Sequence, residues 1–587
     1  MTTKFMPLWV LLGALSVAFH IWLIFSGLIP SLISRPLHMA LALPWVFIFL
    51  AKTKLSRNIG FVFTLVGLFS CFYVVLNQEL LSEQYGSLEG KFQLFLASGL
   101  LVTVLEMARR AIGWPLPTIA AISLLYGLFG SYLPGEFGHP GLPVDSFLGT
   151  MTVAEGGLWG SLTGVSVNIV AIFVIMGAVL NAGEAGQGFM NLATSAAGRL
   201  KGGAAKVSVL SSALFGSISG SASANVASTG AITLPTMEKL GYPKRLAGAV
   251  EAVASSGGQI MPPLMGAGAF VMVELTGTPY TQIMSAAILP AILYFLTVWV
   301  GINAYADRYD LKPLNKAELP EKRTVIITAS FFAVPFTVLL TLMFIGGYTP
   351  QFAAAGAILS GFILLFLDAK LSFDFKRTLL RLKKVALSAG EQIAIIASII
   401  LCAGLIISVL GQTGLGIKIT SLILSVGGEQ IWPALLLTAL ACLILGMEVP
   451  TTAAYVICIS VAGPALQKLG LEPLIAHLFV FWFALLSTIT PPVCGAVFIA
   501  AGMIGENWLK VALTAMALGV GLYVIPLGMI ANPEIIQLAE HPIAAILIFI
   551  KLALGLSAVS YGLIGQKKFI IRLMLLIIGL LLVFLRF

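Results

Sequence analysis

Two double prolines, Pro262-Pro263 and Pro491-Pro492, each fall in the middle of an apolar run. A double proline removes two backbone donors and bars regular helix through that turn, which frees carbonyls upstream. Hydroxyl and glycine residues crowd just before each break: Ser255, Ser256, Gly257 and Gly258 before the first, Thr488 and Thr490 before the second. Hydroxyls and free carbonyls are hard oxygen ligands, the kind a small cation takes. The half-helix N-termini left by the same breaks offer unpaired N–H groups and positive dipole ends, which suit a carboxylate. An anion and its coupling cation can therefore share one site.

Two further stretches carry the same residue types. One is serine-rich and holds Ser217, Ser219, Ser221, Ser223, Asn225 and Thr229; the other is GMEVPTT, with Glu448, Pro450, Thr451 and Thr452. Serine and glycine also let helices approach closely, so alone they do not separate ligand from packing. Asn225 is more specific, because an amide deep in an apolar segment must be hydrogen-bonded. Glu448, at the tip of its stretch, and Glu251, one helical turn before Ser255, are the two carboxylates placed to carry a proton. Glu274 and Glu391 sit near helix ends where a carboxylate can be solvated. The histidines (His20, His38, His139, His477, His541) are scattered over different segments, and His477 reads as a packed helix residue. No lysine or arginine falls at the predicted midplane, so an anion would be held by dipoles, hydroxyls or a residue reaching in from elsewhere.

The elements that must position these residues are set by composition. Of 587 residues, 59% are hydrophobic and 10% charged, and mean hydropathy is +1.03. That is a polytopic membrane protein and not a chain of soluble domains. Sixty glycines and 28 prolines point to broken and tightly packed helices. The five cysteines lie in apolar runs without CxxC spacing and read as small buried residues. A ruler of about 20 apolar residues gives spans near 7–29, 37–51, 59–77, 92–108, 112–133 and 164–182. The first lacks a cleavage site and reads as a retained helix. Connections alternate between basic (Lys52, Lys54, Arg57; Arg109, Arg110) and acidic (Glu79, Glu83, Glu89), which places the N-terminus in the cytoplasm. The +9 net charge is thus an orientation signal.

Residues 207–236 are flanked by basic clusters at both ends and so enter and leave on one side, as a re-entrant hairpin. A broken crossing follows near 246–276, then helices near 281–305, 324–346 and 352–368, and an amphipathic stretch from Lys370 to Lys384 expected on the inner membrane surface. A helix near 386–410, a second hairpin at 432–470, a second broken crossing near 473–504 and helices near 508–531, 542–563 and 569–585 complete the chain. Residues 219–268 align without gaps to residues shifted by 229, with eleven identities in 50 positions. These include Pro235/Pro464, Lys239-Leu240-Gly241/Lys468-Leu469-Gly470 and Pro262-Pro263/Pro491-Pro492. The charge count makes the first hairpin open from the cytoplasm and the second from outside. An inverted repeat of this kind is the architecture of secondary transporters.

GHPGLP at 138–143, GRLKGGAAKVSVLSSALFGSISGSASANVASTG at 198–230, AVEAVASSGGQIMPPLMGAGAF at 249–270, PTTAAY at 450–455 and AHLFVFWFALLSTITPPV at 476–493 resemble the fused membrane component of tripartite ATP-independent periplasmic (TRAP) transporters of the TAXI type. The resemblance implies an all-α, elevator-type inner-membrane symporter. It would take an organic acid, a dicarboxylate or a 2-oxo acid such as 2-oxoglutarate, from a periplasmic TAXI-type binding protein. It also implies one Na+ site between the serine-rich hairpin and the segment ending in Pro262-Pro263, and a symmetry mate formed by PTTAAY with Thr488, Thr490 and Pro491-Pro492. Where relatives show glycine after GM, this chain has Glu448, which opens H+ in place of Na+ as the coupling ion. No other cofactor is implied, and the component would be monomeric.

The expected layout is 1–133, resembling the small membrane subunit; 134–305, the first repeat; 306–385, scaffold helices and the inner linker; 386–531, the second repeat; and 532–587, extra helices. A membrane-embedded enzyme would need a clustered His/Asp/Glu constellation that the sequence does not show. A primary pump would need a GxxxxGK[ST] loop, also missing, and nothing points to nucleic acid.

Overall fold

The computed structural model describes residues 5–427, 430–446, 450–492 and 494–585. Among them, eleven helices are long and apolar enough to cross a membrane, so the chain is an all-α multi-pass protein. The N-terminal helices Met6–Phe25, Ser31–Pro44, Lys54–Leu76, Gly90–Ile112 and Pro115–Phe129 show how such helices pack without a hydrophobic driving force. In Lys54–Leu76 the buried positions include Gly60, Thr64, Gly67, Cys71 and Val74, while Phe61, Leu65, Phe69 and Leu76 are exposed. Small residues at this spacing bring backbones together and leave the bulky ones outside. A Cβ on Gly60 would lie 2.1 Å from the Phe47 carbonyl oxygen, so that contact exists only for glycine.

The first hairpin consists of Gly203–Ser219 and Ala222–Lys239, and the first broken crossing of Lys244–Gly257 and Gly266–Thr276. The second hairpin consists of Ile431–Leu445 and Thr451–Lys468, and the second crossing of Pro473–Leu486 and Gly495–Ile504. Both double prolines hold a cis peptide. The two units exchange contacts: Ala222–Lys239 packs on Gly495–Ile504, and Thr451–Lys468 packs on Gly266–Thr276.

The stretch from Lys370 to Lys384, expected as a separate amphipathic segment on the inner membrane surface, is continuous with the helix that follows it. From Phe375 onward it is the first part of one helix of 39 residues, Phe375–Thr413. Asp374 caps it by accepting from the Lys376 N–H at 2.9 Å. Arg381 is buried, donating to the carbonyls of Leu365 (3.0 Å) and Leu367 and pairing with Glu184. A basic residue so consumed is not free to face lipid headgroups, and the stretch stays helical because nothing in it breaks the run. In the preceding turn Asp368 accepts from the Ser372 hydroxyl and amide, the Lys370 amide and Arg377, which holds its carboxyl well below the usual range. Four α-helices among the described residues were not anticipated: Gln78–Glu83, Val144–Thr152, Ala185–Ala197 and Leu415–Gly427. The long helix packs against Met6–Phe25, Gly90–Ile112, Pro115–Phe129 and the span Ser161–Ala182, so it ties the N-terminal helices to the rest.

Candidate functional site

The first hairpin turns at Gly220, where φ is +60° and the N–H donates to the Gly216 carbonyl at 3.1 Å, closing the first arm. Ser221 then caps the second arm, its hydroxyl accepting from the Ala224 N–H at 3.3 Å. The tip lies directly on the first break. A Cβ on Gly216 would come within 2.3 Å of the Gly258 Cα, and one on Gly220 within 2.7 Å of the Gly266 Cα. Backbone meets backbone at both points, and only glycine allows it.

Behind these contacts lies a buried polar network. The Asn225 amide donates to the Ser212 carbonyl at 2.9 Å and to the Ser255 carbonyl at 3.3 Å, stitching both hairpin arms to the broken helix. Glu251 is fully buried and accepts from four hydroxyls: Ser208 at 2.8 Å, Ser255 at 3.3 Å, and those of Thr229 and Thr233. Among the described residues it has no basic partner within ion-pair distance. The two breaks also touch each other, because Thr488 donates to the Ser256 hydroxyl at 2.8 Å.

In front of the network is a cavity of about 1020 Å³. Four helix N-termini open onto it: Ala222, Ser223 and Ala224 of the first hairpin, Thr451 and Thr452 of the second, Gly266 and Ala267 after the first break, Gly495 and Ala496 after the second. Each helix end carries about half a positive charge in its aligned dipole and leaves N–H groups without intrahelical partners. Their convergence favours an anion, and the adjoining hydroxyls and carbonyls favour a cation beside it.

The sequence-predicted residues separate into groups. Ser219, Ser221, Ser223, Pro450, Thr451, Thr452 and Thr488 line the cavity. Asn225, Thr229, Ser255, Ser256 and Gly258 are buried at the hairpin–break contact, not on the cavity wall. Ser217 donates to the Leu214 carbonyl at 2.7 Å, and a Cβ on Gly257 would strike the Tyr294 ring at 2.2 Å; neither residue lines the cavity. Thr490 is held at 2.7 Å from the Tyr523 hydroxyl, beside the second break. Pro262, Pro263, Pro491 and Pro492 shape the breaks without lining the cavity. Glu448 lies outside the described residues. His477 packs as expected, with its Nδ1 at 2.7 Å from the Tyr455 hydroxyl. Sequence reasoning missed the opposite wall: Asn181, Gln187 and a stripe of Lys384, Gln392, Ile395, Ile396 and Ile399 on the long helix. The spacing of Lys384, Ser388 and Gln392, four residues apart on one helix face ahead of an apolar run, was the available signal.

A profile of the family described as "Tripartite ATP-independent periplasmic transporter, DctM component" matches residues 100–582. The chain belongs to that family. Among its relatives, the C4-dicarboxylate TRAP transporter large permease protein DctM of Pseudomonas aeruginosa is 27% identical over 342 residues, 57% of this chain and 77% of that protein. The isethionate TRAP transporter permease protein DctMQ of Oleidesulfovibrio alaskensis is 24% identical over 453 residues, 72% of this chain and 69% of that one. The uncharacterized protein YgiK of Salmonella typhimurium is 25% identical over 422 residues, 71% of this chain and 91% of that protein. As a TRAP permease the chain is a multi-pass component of a secondary transporter, not an enzyme, and membership implies a periplasmic substrate-binding protein as partner.

Proposed function

We propose that this TRAP permease takes up an organic acid by cation-coupled symport, receiving it from a periplasmic binding protein of the TAXI type. One observation carries the reading: the single cavity onto which both hairpin tips and both broken crossings open. The anion is a dicarboxylate or a 2-oxo acid such as 2-oxoglutarate, its carboxylates facing the helix N-termini. The coupling cation, Na+ as cargo and not a resident cofactor, is met at the hairpin–break contacts. There the Ser212 carbonyl of the hairpin and the Ser255 carbonyl of the break both face the Asn225 amide, at 2.9 and 3.3 Å, which brings backbone oxygens and hydroxyls of the two elements together as hard ligands. The hairpins and broken helices, within residues 134–305 and 386–531, move together as an elevator against the remaining helices. Residues 1–133 act as a fused small subunit, 306–385 as scaffold and linker, and 532–587 as additional packing. The protein works as a monomer in the bacterial inner membrane with its N-terminus in the cytoplasm, as the alternating basic and acidic connections support.

A second reading, proton coupling through Glu251 with Glu448 as the other carboxylate, is favoured by one feature. Glu251 is buried among four hydroxyls with no cation opposite. Reconstitution decides between the two. With the loaded binding protein outside, uptake of radiolabelled 2-oxoglutarate or succinate into proteoliposomes requires an imposed Na+ gradient on the first reading and an inward H+ gradient on the second. Glu251→Gln flattens the pH dependence of uptake only on the second. Uptake that persists when both gradients are collapsed would end the symport reading.

A further inference from the structure

The cavity wall opposite the hairpin tips has no place in the reading so far. Among the described lining residues Lys384 is the one charged side chain. It sits at the end of the stripe that continues through Gln392 to Ile399, and at 1.5 Å per residue those two lie about 12 and about 22 Å along the helix from it. The same cavity is lined by Ala111 and Ile112, which directly follow Arg109 and Arg110 of a connection that the charge pattern places inside, and by Gly183, Gly186 and Gln187. The ammonium donates to the Asn181 carbonyl at 3.1 Å, which fixes its position without neutralising it. One turn earlier Arg381 is already paired with Glu184, whereas Lys384 makes no ion pair among the described residues. Asn181 also lines the cavity.

We propose that Lys384, beside Asn181, forms a second carboxylate-binding point at the far end of this cavity and makes the cavity selective for anions. The helix N-termini hold one end of the organic anion at the hairpin tips. Lys384 attracts the other end, or receives the anion as it leaves. Lys384 is exposed, so its field acts through solvent, and a cleft carrying one sign of charge raises the local concentration of ions of opposite sign by about tenfold or more. Because Lys384 belongs to the long helix and not to the hairpins, its hold on the anion depends on where the hairpins stand. This deepens the organic-acid reading and rests on it for the identity of the ligand, but the field of Lys384 is measurable without a substrate.

Gln392→Cys places a thiol in the cavity, and the five native cysteines are buried, so the unaltered chain is the unlabelled control. In nanodiscs, its labelling rate with anionic 2-sulfonatoethyl methanethiosulfonate is compared with that of the cationic trimethylammonium reagent. With Lys384 present the anionic reagent is favoured. Lys384→Gln lowers the anion-to-cation ratio by about tenfold, Lys384→Arg preserves it, and 1 M salt shrinks it by screening. Ile396→Cys provides a second reporter should Gln392→Cys not fold. Equal ratios with and without Lys384, or no labelling by either reagent at both reporters, would overturn the proposal. In the reconstituted system Lys384→Gln raises the KM for 2-oxoglutarate efflux by about tenfold and leaves its Vmax near that of the unaltered chain. If the unaltered chain moves no organic anion under any gradient, the transport reading fails, whatever the labelling ratio reads.

Discussion

Glycine and asparagine hold this site together more than its hydroxyls do. Gly216 and Gly258 bring the first hairpin into backbone contact with the broken crossing, and Asn225 seals the contact by donating to one carbonyl from each element. Gly216→Ala therefore drives a methyl into backbone that cannot yield, at a cost of about 1–3 kcal/mol. The expected readout is a lower thermal midpoint in detergent together with reduced uptake. Gly411→Ala is the control: that glycine is helical and faces open space, so alanine there is neutral or stabilising by up to about 1 kcal/mol. Equal midpoints for the two variants would refute the close-contact argument. Asn225 was readable from sequence because a buried amide must be paired; Gly257 was not, since only the packed structure shows it backing onto Tyr294.

At the scale of elements, the 229-residue shift found in the sequence reappears in the helix boundaries. Ala222–Lys239 and Thr451–Lys468 have the same 18-residue length, and the half-helices after the breaks start at Gly266 and Gly495, each pair offset by 229. Local chemistry explains why this was legible: a double proline breaks a helix wherever it stands, and a KLG sequence follows each hairpin in both copies. The helix Phe375–Thr413 was divided near residue 385 in the sequence because amphipathic charge patterning describes a separate helix and the start of a longer one equally well. Opposite orientation of the repeats carries a test of its own. Glu238 and Gln467 are symmetry mates, exposed near the bases of the two hairpins. Cysteines placed there label with an impermeant maleimide from opposite faces of oriented vesicles. Labelling of both from the same face would contradict the inverted topology.

Across the whole molecule, segments far apart in sequence are locked together by polar groups whose pairing no local pattern announces. His20 Nδ1 lies 2.6 Å from the Ser16 carbonyl, His20 Nε2 lies 2.8 Å from His38 Nδ1, and His38 Nε2 lies 3.0 Å from the Ser166 hydroxyl. Satisfying the chain with neutral rings requires each Nδ1 to donate and the Ser166 hydroxyl to donate to His38. This fully buried relay fastens Met6–Phe25 and Ser31–Pro44 to the span Ser161–Ala182, joining the N-terminal helices to the repeats. His38→Ala leaves polar atoms unpaired on both sides, each costing about 1–3 kcal/mol. The thermal midpoint falls, and His20→Ala added to it costs less than it does alone. Strictly additive losses would show that the two rings do not act as one unit.

The sequence by itself determined the membrane class, the two breaks, the hairpins and their 229-residue relation, because these follow from composition, periodicity and proline chemistry within short windows; the family was legible through the resemblance of its motifs. Only the tertiary structure decided that Lys384 meets Asn181 across 203 positions, that His38 meets Ser166 across 128, and that four helix N-termini open onto one cavity. Those meetings depend on which helix faces pack together, and among apolar helices that choice is made by shape complementarity between small residues, which becomes visible only once the helices are side by side.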